Sequence, residues 1–266
     1  MSKKTVHGIC QLCQQDTELV NSHIIPKLHW KRLKKADGYF YILPNKPEKQ
    51  ERREQREVTE RILCASCDND RLGKRYEDYI ARVLFGGMTL ESKNEGRFLK
   101  IKGFDYTRLK NGLLSILWRM SVSSNDLFKE VSLGHKHSER IRNIILNEET
   151  VDNLEYPIVC CAPKLDGQFL KDWILTPNCC RAHGNRVYNC LISGLIFTFI
   201  VGSAELDRKT KKFILKQESP LSILKADESE IPFLHEFLVS ASKAQIVRNR
   251  KINSVMSGSN VVPQGR

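Results

Sequence analysis

The chain is predicted to be α+β: a small N-terminal unit pinned by cysteines, then helices, then an antiparallel β-meander and a C-terminal helix. Two C-x-x-C pairs, Cys10/Cys13 and Cys64/Cys67, bracket the first unit. An apolar stripe of Leu109, Leu113, Ile116, Leu117 and Met120 recurs at helical steps. From Tyr156 onward, short β-branched and aromatic runs alternate with Gly, Pro and Asn, which spells strands and turns.

In chain order, residues 1–85 form the cysteine-stapled unit, 86–256 an α+β domain and 257–266 a flexible tail. From Asp68 the pattern turns helical, with Leu72, Tyr76, Tyr79, Ile80 and Val83 on one side, so the second cysteine pair opens a helix. The segment from Lys46 to Arg61 interleaves Lys and Arg with Glu and reads as a solvated excursion. Gly86, Gly87, Gly96 and Gly103 mark a turn-rich connection with one hairpin. The α+β domain then has helices over 105–147, with Asp105 as N-cap and a shorter helix near Ser138 to Leu146. Strands are expected over 155–216: Tyr156 to Cys161, Trp173 to Thr176, Arg186 to Ser193, Leu195 to Val201 and Phe213 to Leu215. A helix over 231–250 starts at Pro232.

Across 266 residues, 41% apolar and 28% charged, the composition excludes collagen-like and disordered chains. The longest apolar run, Leu191 to Val201, falls well short of the roughly 20 residues that span a bilayer, so no membrane partner is expected. Met1 to Thr5 is basic with no apolar run behind it, which gives a cytoplasmic expectation. There the nine cysteines stay reduced, so paired ones read first as metal ligands. A net charge of +12 and a pI near 9.3 suit a nucleic-acid partner.

Two thiolates three positions apart can grip one side of a tetrahedral zinc at about 2.3 Å, leaving the other side for a second pair. One structural zinc on Cys10, Cys13, Cys64 and Cys67 is therefore expected. It offsets the entropy of ordering the charge-rich chain between the pairs.

The order Cys13, His23, Cys64, Cys67, with Ser22-His23-Ile24-Ile25-Pro26 between the pairs, resembles the zinc-containing branch of the HNH, or His-Me finger, endonucleases. In that family a β-hairpin and a helix form a ββα-metal unit. The first strand carries a His followed by an apolar pair and often Pro, and the second cysteine pair sits where the helix begins. The resemblance covers the N-terminal unit alone. It implies a metal-dependent endonuclease that hydrolyses phosphodiester bonds in nucleic acid, DNA favoured, in a setting such as restriction or antiviral defence. His23 is then the general base, and a magnesium or manganese ion stabilises the transition state. Asp68, then Asn69, would bind that ion. Ser22 stands where many members place Asp, His or Glu as a ligand of that ion and would be a poorer ligand there, and Asn45 would be the family's middle Asn, which orients the base. The chemistry is sound on its own terms, because an imidazole titrates near neutrality and a hard cation prefers carboxylate oxygen.

On an ideal α-helix Glu77 lies about half a turn out of phase with Asp68, so the two face one ion only where the helix is interrupted. Lys27, Lys31 and Arg32, with Lys34 and Lys35 beyond, are candidate phosphate contacts, and Trp30 and Tyr39 candidate stacking partners for unpaired bases. Amphipathic packing of His29, Trp30 and Leu33 is the competing reading. Cys160, Cys161, Cys179, Cys180 and Cys190 lack knuckle spacing and read as strand cysteines. The C-terminal part would select the target or recruit a regulatory protein that restrains cleavage. The alternative function, which Ser22 favours, is a non-catalytic zinc-stapled module that binds nucleic acid or serves as a protein adaptor.

Overall fold

The computed structural model describes residues 5–34, 38–44, 52–243 and 261–264, and within them the chain is α+β. Asn45 and Lys35 lie outside the described residues. Strand β1 (Val6–Ile9) and strand β2 (Asp16–His23) pair antiparallel, and the first cysteine pair sits in the turn between them. That turn closes through Cys10 N–H to the Gln15 carbonyl at 2.9 Å and Gln14 N–H to the Cys10 carbonyl at 2.8 Å. The chain then makes an excursion through α1 (Lys27–Leu33), β3 (Phe40–Pro44) and β4 (Arg52–Glu54) before β5 (Thr59–Cys64) returns beside β2. A β-bulge between Val20 and Ser22 shifts the β2–β5 register just before His23.

The helix expected after the second cysteine pair is present, but Ser66–Glu77 winds as a π-helix before α2 (Asp78–Phe85) continues in ordinary α form. It buries Leu72, Tyr76, Tyr79, Ile80 and Val83, the expected apolar side. The connection beyond it holds the expected hairpin, β6 (Glu91–Glu95) with β7 (Phe98–Lys102). Asp105 caps α3 (Tyr106–Val122), accepting from Arg108 N–H at 3.0 Å, and the stripe from Leu109 to Met120 is buried. A Cβ on Gly112 would lie 2.7 Å from Ile80, so this glycine lets α3 close against the preceding helix. Helix α4 spans Gly134–Asn147, beginning four residues before the expected start.

Strands β8 (Ile158–Leu165), β9 (Gln168–Phe169), β10 (Asn178–Ala182), β11 (Asn185–Ile192) and β12 (Leu195–Val201) are joined largely by tight turns. Asp166-Gly167, His183-Gly184 and Ser193-Gly194 each have positive φ at both residues, the two-residue turn that matches the right-handed strand twist. Helix α5 (Arg208–Phe213) leads to β13 (Leu221–Asp227) and α6 (Pro232–Lys243). The large sheet runs β10-β11-β12-β8-β13-β7-β6, with β9 pairing β8 off this path. The antiparallel meander thus holds from β10 to β8 and breaks at β13, which enters between β8 and β7 and runs parallel to β8. The segment expected as a strand at Trp173 to Thr176 contributes only a bridge from Ile174 to Ile192. Phe213 to Leu215 likewise supplies the bridge from Ile214 to Val159. In the segment expected as a tail, Val261–Gln264 forms β14, paired in parallel with Tyr41–Pro44, because β3 offers an open backbone edge.

One apolar core joins one face of this sheet to α3, α4 and the N-terminal unit, and Leu63, Tyr76, Leu113, Ile141 and Phe197 all belong to it. The opposite face, with Leu165, Trp173 and Leu191, packs on Leu234 of α6. Among the described residues no helix is long and apolar enough to cross a membrane.

Candidate functional site

The turn between β1 and β2 and the β5-to-helix junction bring four sulfurs together. The Sγ atoms of Cys10, Cys13, Cys64 and Cys67 all lie within 4.8 Å of one another, with Cys13 and Cys64 at 4.0 Å. Tetrahedral zinc at the usual zinc–sulfur distance holds its sulfurs about 3.8 Å apart, so the donor set and spacing fit such an ion. The cluster also prepares a thiolate. Cys10 is held far below the ordinary thiol range, first by the hydrogen bond from Cys67 and then, against burial, by backbone N–H groups, including Cys64 N–H at 3.3 Å. Among the described residues this is the only convergence of three or more metal-ligating side chains.

The bulged end of β2 presents His23. Its Nε2 lies 2.7 Å from a Glu57 carboxylate oxygen, and the Lys34 ammonium sits 2.6 Å from the other oxygen. Burial works to raise the Glu57 carboxyl, but the hydrogen bonds from Lys34 and His23 outweigh it and hold Glu57 below the usual carboxylate range. An ionised acceptor there fixes the imidazole proton on Nε2 and leaves the Nδ1 lone pair to accept one. The His23 side chain keeps 21% of its surface exposed, enough for water to reach it. Among the described residues Glu57 is the side chain bonded to the His23 ring, and Asn45, the residue expected to orient it, lies outside them.

The wall behind His23 is built by Arg119 of α3. Its Nη1 donates to the His23 carbonyl oxygen at 2.7 Å and lies 2.7 Å from Glu77, while the residue itself is wholly buried. Asp68 joins the same group: burial first, then the Glu77 carboxylate, push its carboxyl up, opposed by the Arg119 charge, a hydrogen bond from Ser22 and the His23 charge. Asp68 and Glu77 therefore sense each other, although ordinary α-helical phasing would set them about half a turn apart. The π-helix is the reason: bonds of i→i+5 type put more residues in each turn, so the two carboxylates come round to one side. Among the described residues, Asp68, Glu57 and Glu77 when all ionised carry one negative charge more than Arg119 and Lys34 offset.

Other expected site residues are placed differently. Ser22 is fully buried, its hydroxyl donating to the Val20 carbonyl at 3.4 Å. Asn69 and Asp70 are exposed, and Asp70 pairs with Lys74 at 2.8 Å. Lys27, Lys31 and Arg32 are exposed along α1, whereas Lys34 turns in to Glu57. Trp30 is buried and donates its indole N–H to the Ile25 carbonyl at 3.0 Å, which removes it as a stacking partner. Cys160 and Cys190 are buried strand cysteines, and burial pushes both thiols up to about 12.

Glu57 and Arg119 escaped sequence reasoning. The one signal available was a charged residue standing inside the apolar stripe of α3. In comparisons with known proteins, no family model, no curated protein and no solved structure matches this chain.

Proposed function

We propose that the chain is a metal-dependent endonuclease of the HNH kind, hydrolysing phosphodiester bonds in nucleic acid, with DNA the favoured substrate. The observation that carries this reading is the pairing of His23 Nε2 with an ionised Glu57, which leaves Nδ1 of this partly exposed ring as the proton acceptor, near enough to Asp68 for the two charges to interact. In this role His23 Nδ1 takes a proton from water, and Glu57 steadies the resulting imidazolium. Arg119 holds the His23 backbone in place through its carbonyl. A magnesium or manganese ion, when bound, would neutralise charge developing on the phosphate and leaving oxygen. Asp68 suits such an ion, because magnesium is commonly held by one or two carboxylates with water and substrate phosphate completing its shell. The leftover negative charge at the site is consistent with a cation there. Exposed Lys27 and Lys31 would contact phosphates beside it. The four cysteines would hold a structural zinc and take no part in the chemistry.

Plasmid and single-stranded DNA, incubated with the purified chain and magnesium or manganese, test this directly. Cleavage by wild type and a loss of about 10²- to 10⁴-fold in His23→Ala are expected. Equal inertness of both proteins on DNA and RNA with either ion would overturn it. The second reading is a zinc-stapled module that binds nucleic acid or a protein without cutting. It is favoured by the full burial of Ser22, which offers an ion no carboxylate.

A further inference from the structure

A second concave surface lies where the end of α2 meets the large sheet, a cleft of about 770 Å³ that falls in the size range of small-molecule sites. Its floor is one face of the sheet. Leu99 stands opposite Ile223, and Lys225 opposite Ala162 two positions before Lys164, so these side chains project the same way from adjacent strands. Arg32 and Phe85 supply the facing wall, with the Arg32 guanidinium 4.5 Å over the Phe85 ring. Phe169, 41% exposed, and Lys171 line the cleft further along.

The charge around it is one-sided. Arg32, Lys164, Lys171 and Lys225 line the cleft, and among the described residues no acidic side chain does. Among the described residues the three lysines form no ion pair: Lys225 reaches only Asn94 Oδ1 at 3.4 Å, and Lys164 lies 5.1 Å over the Phe169 ring. Ammonium groups gathered along one cleft repel one another, and an anion between them relieves that repulsion. The apolar floor favours a flat ring that gives up little hydration, and exposed Phe169 can stack on it. Anionic groups joined to a flat heterocycle describe a nucleotide. On the far side of Lys164 and Lys225 the surface passes to Arg97, which pairs with Glu230 at 2.7 Å, and to Asp227, whose carboxylate would repel a phosphodiester continuing outward. That boundary suits a free nucleotide better than a strand.

We propose that this cleft binds a free nucleotide, its base on the sheet floor and its phosphates against Lys164, Lys171 and Lys225. The site shares no residue with the His23 centre and does not depend on the hydrolytic reading. Calorimetric titration of the full chain with ATP, GTP, CTP and UTP tests it, with adenosine, pyrophosphate and a short oligodeoxynucleotide as comparison probes. At least one triphosphate should bind about tenfold more tightly than adenosine or pyrophosphate. Lys164→Ala with Lys225→Ala should weaken it about tenfold at unchanged melting temperature, and Phe169→Ala several-fold. Should the double variant melt early, Lys164→Gln and Lys225→Gln taken singly give the same comparison. The proposal is overturned by no binding of any triphosphate at millimolar concentration, by affinity indifferent to the lysines, by pyrophosphate binding as tightly as the best nucleotide, or by an oligonucleotide that outbinds every free nucleotide.

Discussion

The sulfur cluster and the His23 centre flank the same pair of strands and are held in opposite ways. Four like ligands from two short motifs converge at the cysteine end, where one ion can satisfy all of them at once. The His23 centre is a balance of unlike groups: a carboxylate on the ring, an ammonium on that carboxylate, and a buried guanidinium behind the backbone. The first can be removed by taking one thing away. The second degrades by degrees, because each partner compensates another.

The largest effect should therefore come from the cysteines. Cys67→Ser is expected to abolish retention of one zinc per chain and the native fold with it, since structural zinc contributes on the order of 10 kcal/mol in small stapled units. Metal analysis and thermal melting check this, and native melting in the variant would leave the staple without a structural role. Next is Arg119→Met, which strands Glu77 and Asp68 and should cost about 3–5 kcal/mol in urea unfolding. Adding Glu77→Gln should recover part of that loss. Strict additivity would mean that the two side chains do not act as a pair.

Smaller still, Glu57→Gln should leave folding nearly intact yet slow cleavage roughly 10- to 100-fold, with the change in kcat rather than KM. A rate unchanged by this substitution would reduce Glu57 to a partner for Lys34. The smallest effect separates a histidine held by charge from one held by burial. His29 is buried, bonds the Ser193 hydroxyl at 2.8 Å, and is pushed down to about 3 by burial first and then by the Arg32 and Arg119 charges. Its folded-state pKa lies below the unfolded value near 6.5, so the unfolded chain takes up the proton first and stability falls as pH drops below that value. Between pH 6.5 and 5 this one group should cost roughly 2 kcal/mol. His29→Phe should flatten that slope in denaturant titrations, and an unchanged slope would place the acid sensitivity elsewhere.

The sequence showed what is local. Cysteine spacing, the Asp105 cap, the α3 stripe and the run from Leu195 to Val201 each depend on neighbours a few positions away, and each is where spacing put it. The π-helical winding of Ser66–Glu77 was not legible, because the same apolar residues satisfy either winding; it is the kind of interruption on which the phase argument about Glu77 was conditional. Nor was the place of β13, whose neighbours β7 and β8 lie far back along the chain. The candidate site divides along the same line. His23 and Asp68 stood out from motif position, but Glu57 and Arg119 acquire meaning only once α1, β5 and α3 are docked.

The insertion of β13 also sets an order of events during synthesis. Until Leu221–Asp227 has left the ribosome, β7 and β8 are separate edges with no strand between them, and the sheet that supports α3 is split. Contacts this distant in sequence close slowly and late. The two cysteine pairs can be gripped long before that point, whereas Arg119 settles behind His23 only on a helix whose seat is still incomplete. A nascent chain stalled before residue 221 would thus carry its metal clasp without a finished centre.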